Sequence, residues 1–165
     1  MHVFLRRLFL VLFVAGMFLL GWFSNSAFSE LSKAQFPLSS AAPEKPSPSD
    51  WIKPEQIHVF QDKVVIDVEN PSWAMFTDTN SMDPVFDAEA NTIEITPKDP
   101  TQIKIGDIIS YKSELCDCIV VHRVIGKGVD EKGFYFIVKG DNNPVKDPEK
   151  VRFEQIVGVV VGVIY

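Results

Sequence analysis

A hydroxyl, an imidazole and two carboxylates stand out in this chain as groups that could do nucleophilic chemistry together. Ser81 lies in TNSMDPVF (79–86), His122 in CIVVHRVIG (118–126), and Asp141 and Asp147 in KGDNNPVKD (139–147). A serine hydroxyl is a weak nucleophile at neutral pH and needs a base within hydrogen-bond reach, roughly 2.6–3.2 Å, to take its proton as it attacks. An imidazole is such a base, and a carboxylate on its other nitrogen would hold it. Each segment also has a plainer reading on its own. Asn, Ser, Asp and Pro favour turns, Gly-Asp-Asn-Asn-Pro makes a turn without any chemistry, and a single histidine on a strand is more often structural. What raises the chemical reading is order: Ser81, then GDIISY, then Val121-His122-Arg123-Val124, then Lys139-Gly140-Asp141-Asn142-Asn143 and Asp147. Several independent chance matches would be needed to imitate that joint pattern.

The elements that must position these groups read as strands. Short β-branched runs (KVVIDV, NTIEIT, GDIISY, CIVVHRVIG, GFYFIVKGD and IVGVVVGVIY) are separated by Gly, Pro, Asp and Asn, the pattern of a mainly β fold. No long segment has the apolar spacing of an amphipathic helix, although Lys53 to Phe60 fits a short one. Ile119 to Ile125 and Phe134 to Val138, joined by GKGVDEKG, predict a hairpin. Alternation puts Val120, His122 and Val124 on one face of the first strand and Val121, Arg123 and Ile125 on the other. Arg123 is then a surface or ion-pairing residue. The final apolar run, Ile156 to Tyr165, is too short for a spanning helix and reads as a central strand.

Outside this region the N-terminus constrains location. Leu8 to Phe23 reads LFLVLFVAGMFLLGWF without a charge, and a spanning helix needs about 20 mostly apolar residues, which the run reaches if it continues towards Phe28 with Trp22 at an interface. Arg6 and Arg7 precede it, while Glu30 and Lys33 follow, so the positive-inside bias leaves the remainder of the chain outside the cytoplasm. A cleaved secretory signal peptide is the rival reading, given the small residues Ser24 to Ala27. Both readings export the domain. Residues 1–28 are thus read as a membrane anchor, 29–50 as a Ser/Pro-rich linker (LSSAAPEKPSPSD) and 51–165 as one extracytosolic domain. The net charge of −6 and the absence of a Lys/Arg run argue against a nucleic-acid surface.

In these motifs the chain resembles the type I signal peptidases, in the branch of archaea, the endoplasmic reticulum and some spore-forming bacteria in which histidine replaces a lysine base. The resemblance rests on the Ser-Met-x-Pro box at Ser81, the Gly-Asp-apolar-apolar strand at Gly106 to Ile109, the His-Arg-Val box at His122 to Val124 and the Lys-Gly-Asp-Asn turn. It implies a small, partly closed β-sheet or barrel catalytic domain behind one transmembrane helix. It also implies a serine endopeptidase that removes signal peptides from exported preproteins, cutting after small residues, without metal or organic cofactor. Ser81 would be the nucleophile, with its backbone N–H in the oxyanion hole, and His122 the general base. Asp147 or Asp141 would be the orienting carboxylate. Met82, Met75 and Phe76, with Trp73, would line substrate pockets for a peptide presented as an added strand, or else belong to the core. Implied partners are signal-peptide-bearing preproteins and membrane lipid, with accessory subunits left open.

Two departures qualify the resemblance. Asn80 stands where the family usually has a small residue, commonly Gly, although Asn tolerates left-handed backbone angles better than most residues. Glu89 to Thr101 is polar for a surface that would dip into lipid. Cys116 and Cys118 read as structural thiols or a local disulfide rather than metal ligands, since no second ligand pair accompanies them. A Cys118 nucleophile beside His122 explains less of the sequence than Ser81. The alternative from another class is a catalytically silent exported β-domain that binds extended peptides or an envelope partner. A third is a related peptidase for a specialised precursor.

Overall fold

The computed structural model describes residues 2–33 and 45–165, which fall into two units, one within Met1–Glu44 and one spanning Lys45–Tyr165. The described residues of the first unit form one helix, α1 (His2–Lys33). Its stretch Leu5–Trp22 is long and apolar enough to cross a membrane, a property that a signal sequence shares. The helix continues past residue 28. Residues 34–44 of the expected linker lie outside the described residues, whereas 45–50 belong to the second unit. There the Ser49 amide donates to Asp107 Oδ1 at 2.6 Å, and the Ser47 carbonyl lies so close to Gly106 that an added Cβ would sit 2.2 Å from its oxygen.

The second unit is mainly β: nine strands, β1 (Ile57–Val59), β2 (Val64–Ile66), β3 (Pro71–Met75), β4 (Asn91–Ile95), β5 (Ile108–Ser113), β6 (Cys118–Asp130), β7 (Gly133–Lys139), β8 (Val151–Arg152) and β9 (Ile156–Ile164). Strands β1 and β2 pair only with each other, and the rest form one seven-stranded antiparallel sheet in the order β3-β4-β9-β5-β6-β7-β8. The sheet is open, with β3 and β8 as its edges, so a closed barrel does not form among the described residues. The helix expected over Lys53 to Phe60 is also absent. Pro54–Gln56 makes one 3-10 turn and the chain then enters β1, as the β-branched Ile57 and Val59 favour.

Strand β6 is longer than its apolar run suggests, because the Gly-rich segment that reads as a connection pairs with β7 down to Asp130 opposite Gly133. Only Glu131 and Lys132 form the turn, and Gly133 takes a φ of 96° there, open to glycine at little steric cost. Gly128 earns its place differently: a Cβ would stand 2.6 Å from the Tyr135 hydroxyl across the ladder. One core cluster gathers Ile103, Ile109, Tyr111, Val124, Phe136, Val138, Val151 and Val159, and a second gathers Met82, Phe86, Ala90, Ile108 and Val160. The second cluster roots the loop that carries Ser81.

Candidate active site

Strand alternation places His122 as the sequence predicts, 7 % exposed and beside the fully buried Val124. It pairs across the ladder with Ile109 of β5. Its Nδ1 lies 2.6 Å from Asp147 Oδ2, and the Tyr111 hydroxyl donates to the same oxygen at 2.5 Å. A carboxylate oxygen accepts here, so Nδ1 carries the proton, and in the neutral imidazole the lone pair is then on Nε2. Nε2 has no hydrogen-bond partner among the described residues. Both side chains of the His122–Asp147 pair are about nine-tenths buried, which strengthens their interaction by excluding water. Burial, reinforced by Asp147, pushes the Tyr111 phenol well above its ordinary range, so it remains a donor at any working pH.

The second aspartate has another task. Arg123, on the opposite face of β6, grips Asp141 bidentately through Nε and Nη2 at 2.7 and 2.6 Å, and gives Nη1 to the Gly106 carbonyl at 2.8 Å. Asp141 therefore anchors its turn to β6 and the start of β5. The next residue reaches the serine loop: the Asn142 amide donates to the Ser81 carbonyl at 3.0 Å and its side-chain amide to the Asn80 carbonyl at 2.9 Å. Gly140 is pressed against the same carbonyl, where a Cβ would stand 2.6 Å from the Ser81 oxygen. Asp147 is set at the loop's far end by its own amide, which donates to the Val138 carbonyl at 2.9 Å.

Ser81 opens a turn whose Met82 is buried in the second core cluster. Asn80 has a φ of 55°, the left-handed region that Asn enters more readily than most residues. Asp87 ties the approach down by accepting from the amides of Thr79 and Asn80 at 3.3–3.4 Å. The Ser81 hydroxyl lies 3.1 Å from Thr79 Oγ1, and the Ser81 amide donates to that same atom at 3.4 Å. No hydrogen bond joins Ser81 to His122 among the described residues.

Ser81 and His122 nonetheless line one groove of about 630 Å³. Its walls include Trp73, Met75 and Phe76 at the end of edge strand β3, and Ile119 and Val121 of β6. Trp73 and Met75 are more than two-thirds exposed, while Phe76 stacks on Phe86 at a centroid distance of 4.7 Å. Of the residues expected to line pockets, Met82 and Phe76 are thus partly core, and Met75 is groove wall. Cys118 also borders the groove, in a disulfide with Cys116. Among the described residues no group of three or more His, Cys, Asp and Glu side chains is arranged to hold a metal ion.

Thr79, Tyr111 and Asp87 escape a reading of the sequence, and so does Glu94, which borders the groove from β4. Tyr111 closes GDIISY, where it reads only as an apolar strand residue. Asp87 had a local signal, since an acidic side chain after a turn can accept from the amides before it.

No family model matches the chain. A stretch of 37 residues, 22% of this chain, is 57% identical to the uncharacterized protein MJ0260 of Methanocaldococcus jannaschii. The match spans 18% of that relative's length.

Proposed function

We propose that the chain is a membrane-bound serine endopeptidase of the signal-peptidase type, which removes signal peptides from exported preproteins by cutting after small residues. The observation that carries this reading is the buried His122–Asp147 pair at 2.6 Å in a groove that Ser81 also lines. The apolar helix would hold the domain at the membrane on its extracytosolic side, where its substrates emerge. Edge strand β3 supports the presentation of substrate as an added strand, because its outer backbone groups have no partner strand.

The chemistry follows from the placement of each group. The mechanism requires the Ser81 hydroxyl to exchange Thr79 for His122 Nε2, and side-chain rotation at a surface takes picoseconds to nanoseconds. Such contacts are often loose before substrate binds. The Ser81 hydroxyl attacks the scissile carbonyl carbon while Nε2 takes its proton, and Asp147 stabilises the imidazolium. The negative oxygen then draws on the Ser81 amide, which turns to it from Thr79 Oγ1, and on the Thr79 hydroxyl. Collapse breaks the C–N bond, with His122 giving its proton to the leaving amine. Water activated by the same imidazole releases the acyl group and restores Ser81.

The Ser81–Thr79 hydrogen bond favours a second reading, in which the groove binds extended peptides without cutting them. Cleavage of a preprotein with an Ala-x-Ala site by the detergent-solubilised protein, beside its Ser81→Ala variant, separates the two. Cutting by the parent alone is the expected result. Equal cutting by both would end the serine mechanism, and a folded parent that binds but never cuts would favour the binding domain.

A further inference from the structure

Strand β4 buries its polar face. Thr92 and Glu94 are buried (0 and 2 % exposed), while Ile93 and Ile95 are only half-buried. A strand that turns its polar side chains inward loses the burial of two isoleucines and must desolvate a carboxyl. The groove is the feature on that side: Glu94 and Ser110 border it together with Ser81 and His122.

The carboxyl is only partly satisfied. Ser110 Oγ donates to Oε2 at 2.6 Å, but Oε1 has only a 3.5 Å contact from Thr92 Oγ1. No cation pairs with Glu94 among the described residues. Burial holds its pKa above the ordinary glutamate range, against the two hydroxyl donors. Space is kept for it by Gly158 of β9, where a Cβ would stand 2.7 Å from Oε2. Glu94 borders the groove yet is only 2 % exposed, so a group that meets it from the groove must be small. A lysine or arginine head would have to give up its hydration to reach it, which is costly.

We propose that Glu94, held by Ser110, is a hydrogen-bonding floor that makes the groove select peptides with a small hydroxyl side chain, serine above alanine, near the site of cutting. The inference deepens the peptide-groove reading and rests on it. A serine side chain of the substrate would donate its O–H to Glu94 Oε1, adding a close donor to the long Thr92 contact that oxygen already has. An alanine would leave that oxygen as it is. In an extended peptide, the first and third residues before the bond project to the same side, so either could reach the floor.

The test uses the full-length Ser81→Ala variant in detergent, which binds without turnover. Its affinity is measured for peptides that carry serine or the near-isosteric 2-aminobutyrate at the first or the third position. Serine is expected to bind about tenfold tighter at one of the two, the size of one hydrogen bond to a carboxyl. Equal binding of the pair at both positions overturns the inference without need of any further variant, as does binding to neither. Adding Glu94→Leu should remove the preference, and Glu94→Gln, which retains an acceptor, should keep it. A folded Glu94→Leu protein that still prefers serine also overturns it. Cleavage by the parent is scored separately: discrimination in binding without cutting would leave the floor standing and sink the peptidase reading, and cutting without discrimination would do the reverse.

Discussion

The two ends of the 139–147 loop carry an aspartate each, six residues apart, and the structure gives them opposite environments. Asp141 meets a permanent cation, Arg123, in a two-pronged ion pair, whereas Asp147 meets an imidazole and a phenol that share one of its oxygens. A bidentate guanidinium satisfies a carboxylate fully and holds it in one geometry, which suits an anchor. An oxygen shared by a phenol and a histidine leaves the carboxylate free to respond to a charge arising on the ring. The lesson is that proximity to the histidine in sequence does not tell which carboxylate meets the imidazole. The face of β6 does: His122 and Arg123 project to opposite sides, and each takes the aspartate on its own side.

The largest expected effect breaks the chemistry on both ends at once. Ser81→Ala and His122→Ala should each lower kcat by about 10⁴-fold or more, and combining them should cost little beyond either alone, because the groups act as a unit. Single-turnover cleavage of a preprotein, with thermal unfolding to verify the fold, checks this. Additive losses in the double variant would show that the two side chains do not share a step.

The contrast between the aspartates comes next. Asp147→Asn should lower kcat by about 10²–10⁴-fold, the upper figure being that for loss of the correct histidine tautomer in serine proteases, with little change in stability. Asp141→Asn should instead lower stability by about 2 kcal/mol, through loss of the ion pair to a largely buried Arg123. Its effect on kcat should be smaller than that of Asp147→Asn, and arise as the turn that holds the Ser81 and Asn80 carbonyls loosens. Denaturant unfolding and kcat measured on both variants decide it. Swapped outcomes would reverse the assignment.

How far the sequence shows this division depends on the kind of signal. Strands β5, β6, β7 and β9 carry dense β-branched runs, and alternation in β6 alone separates His122 from Arg123. Strand β3 is not legible, because PSWAM begins with proline and mixes polar and aromatic residues, as an edge strand beside a groove can. The choice between Asp141 and Asp147 needs the loop's path, which residue spacing does not encode. Glu94 sits in a run that looks amphipathic in the usual sense, and only the structure shows that the Ile side faces away from the groove. How far the sheet closes is not legible for a similar reason: nothing in the strand runs specifies whether β3 and β8 meet.

The finest test of the contrast concerns Tyr111, which touches Asp147 but not Asp141. Tyr111→Phe keeps the buried ring and removes only the donor to Asp147 Oδ2. The phenol is held above its ordinary range by burial and by Asp147, so in the parent it stays protonated and adds no limb to the pH profile. Without it, His122 Nδ1 is the one side-chain donor left to Asp147 Oδ2 among the described residues, and kcat should fall by about two- to tenfold. A purely structural role for Tyr111 would lower stability and leave kcat unchanged. The same substitution should leave the Arg123–Asp141 anchor untouched, so its unfolding profile ought to stay well apart from that of Asp141→Asn.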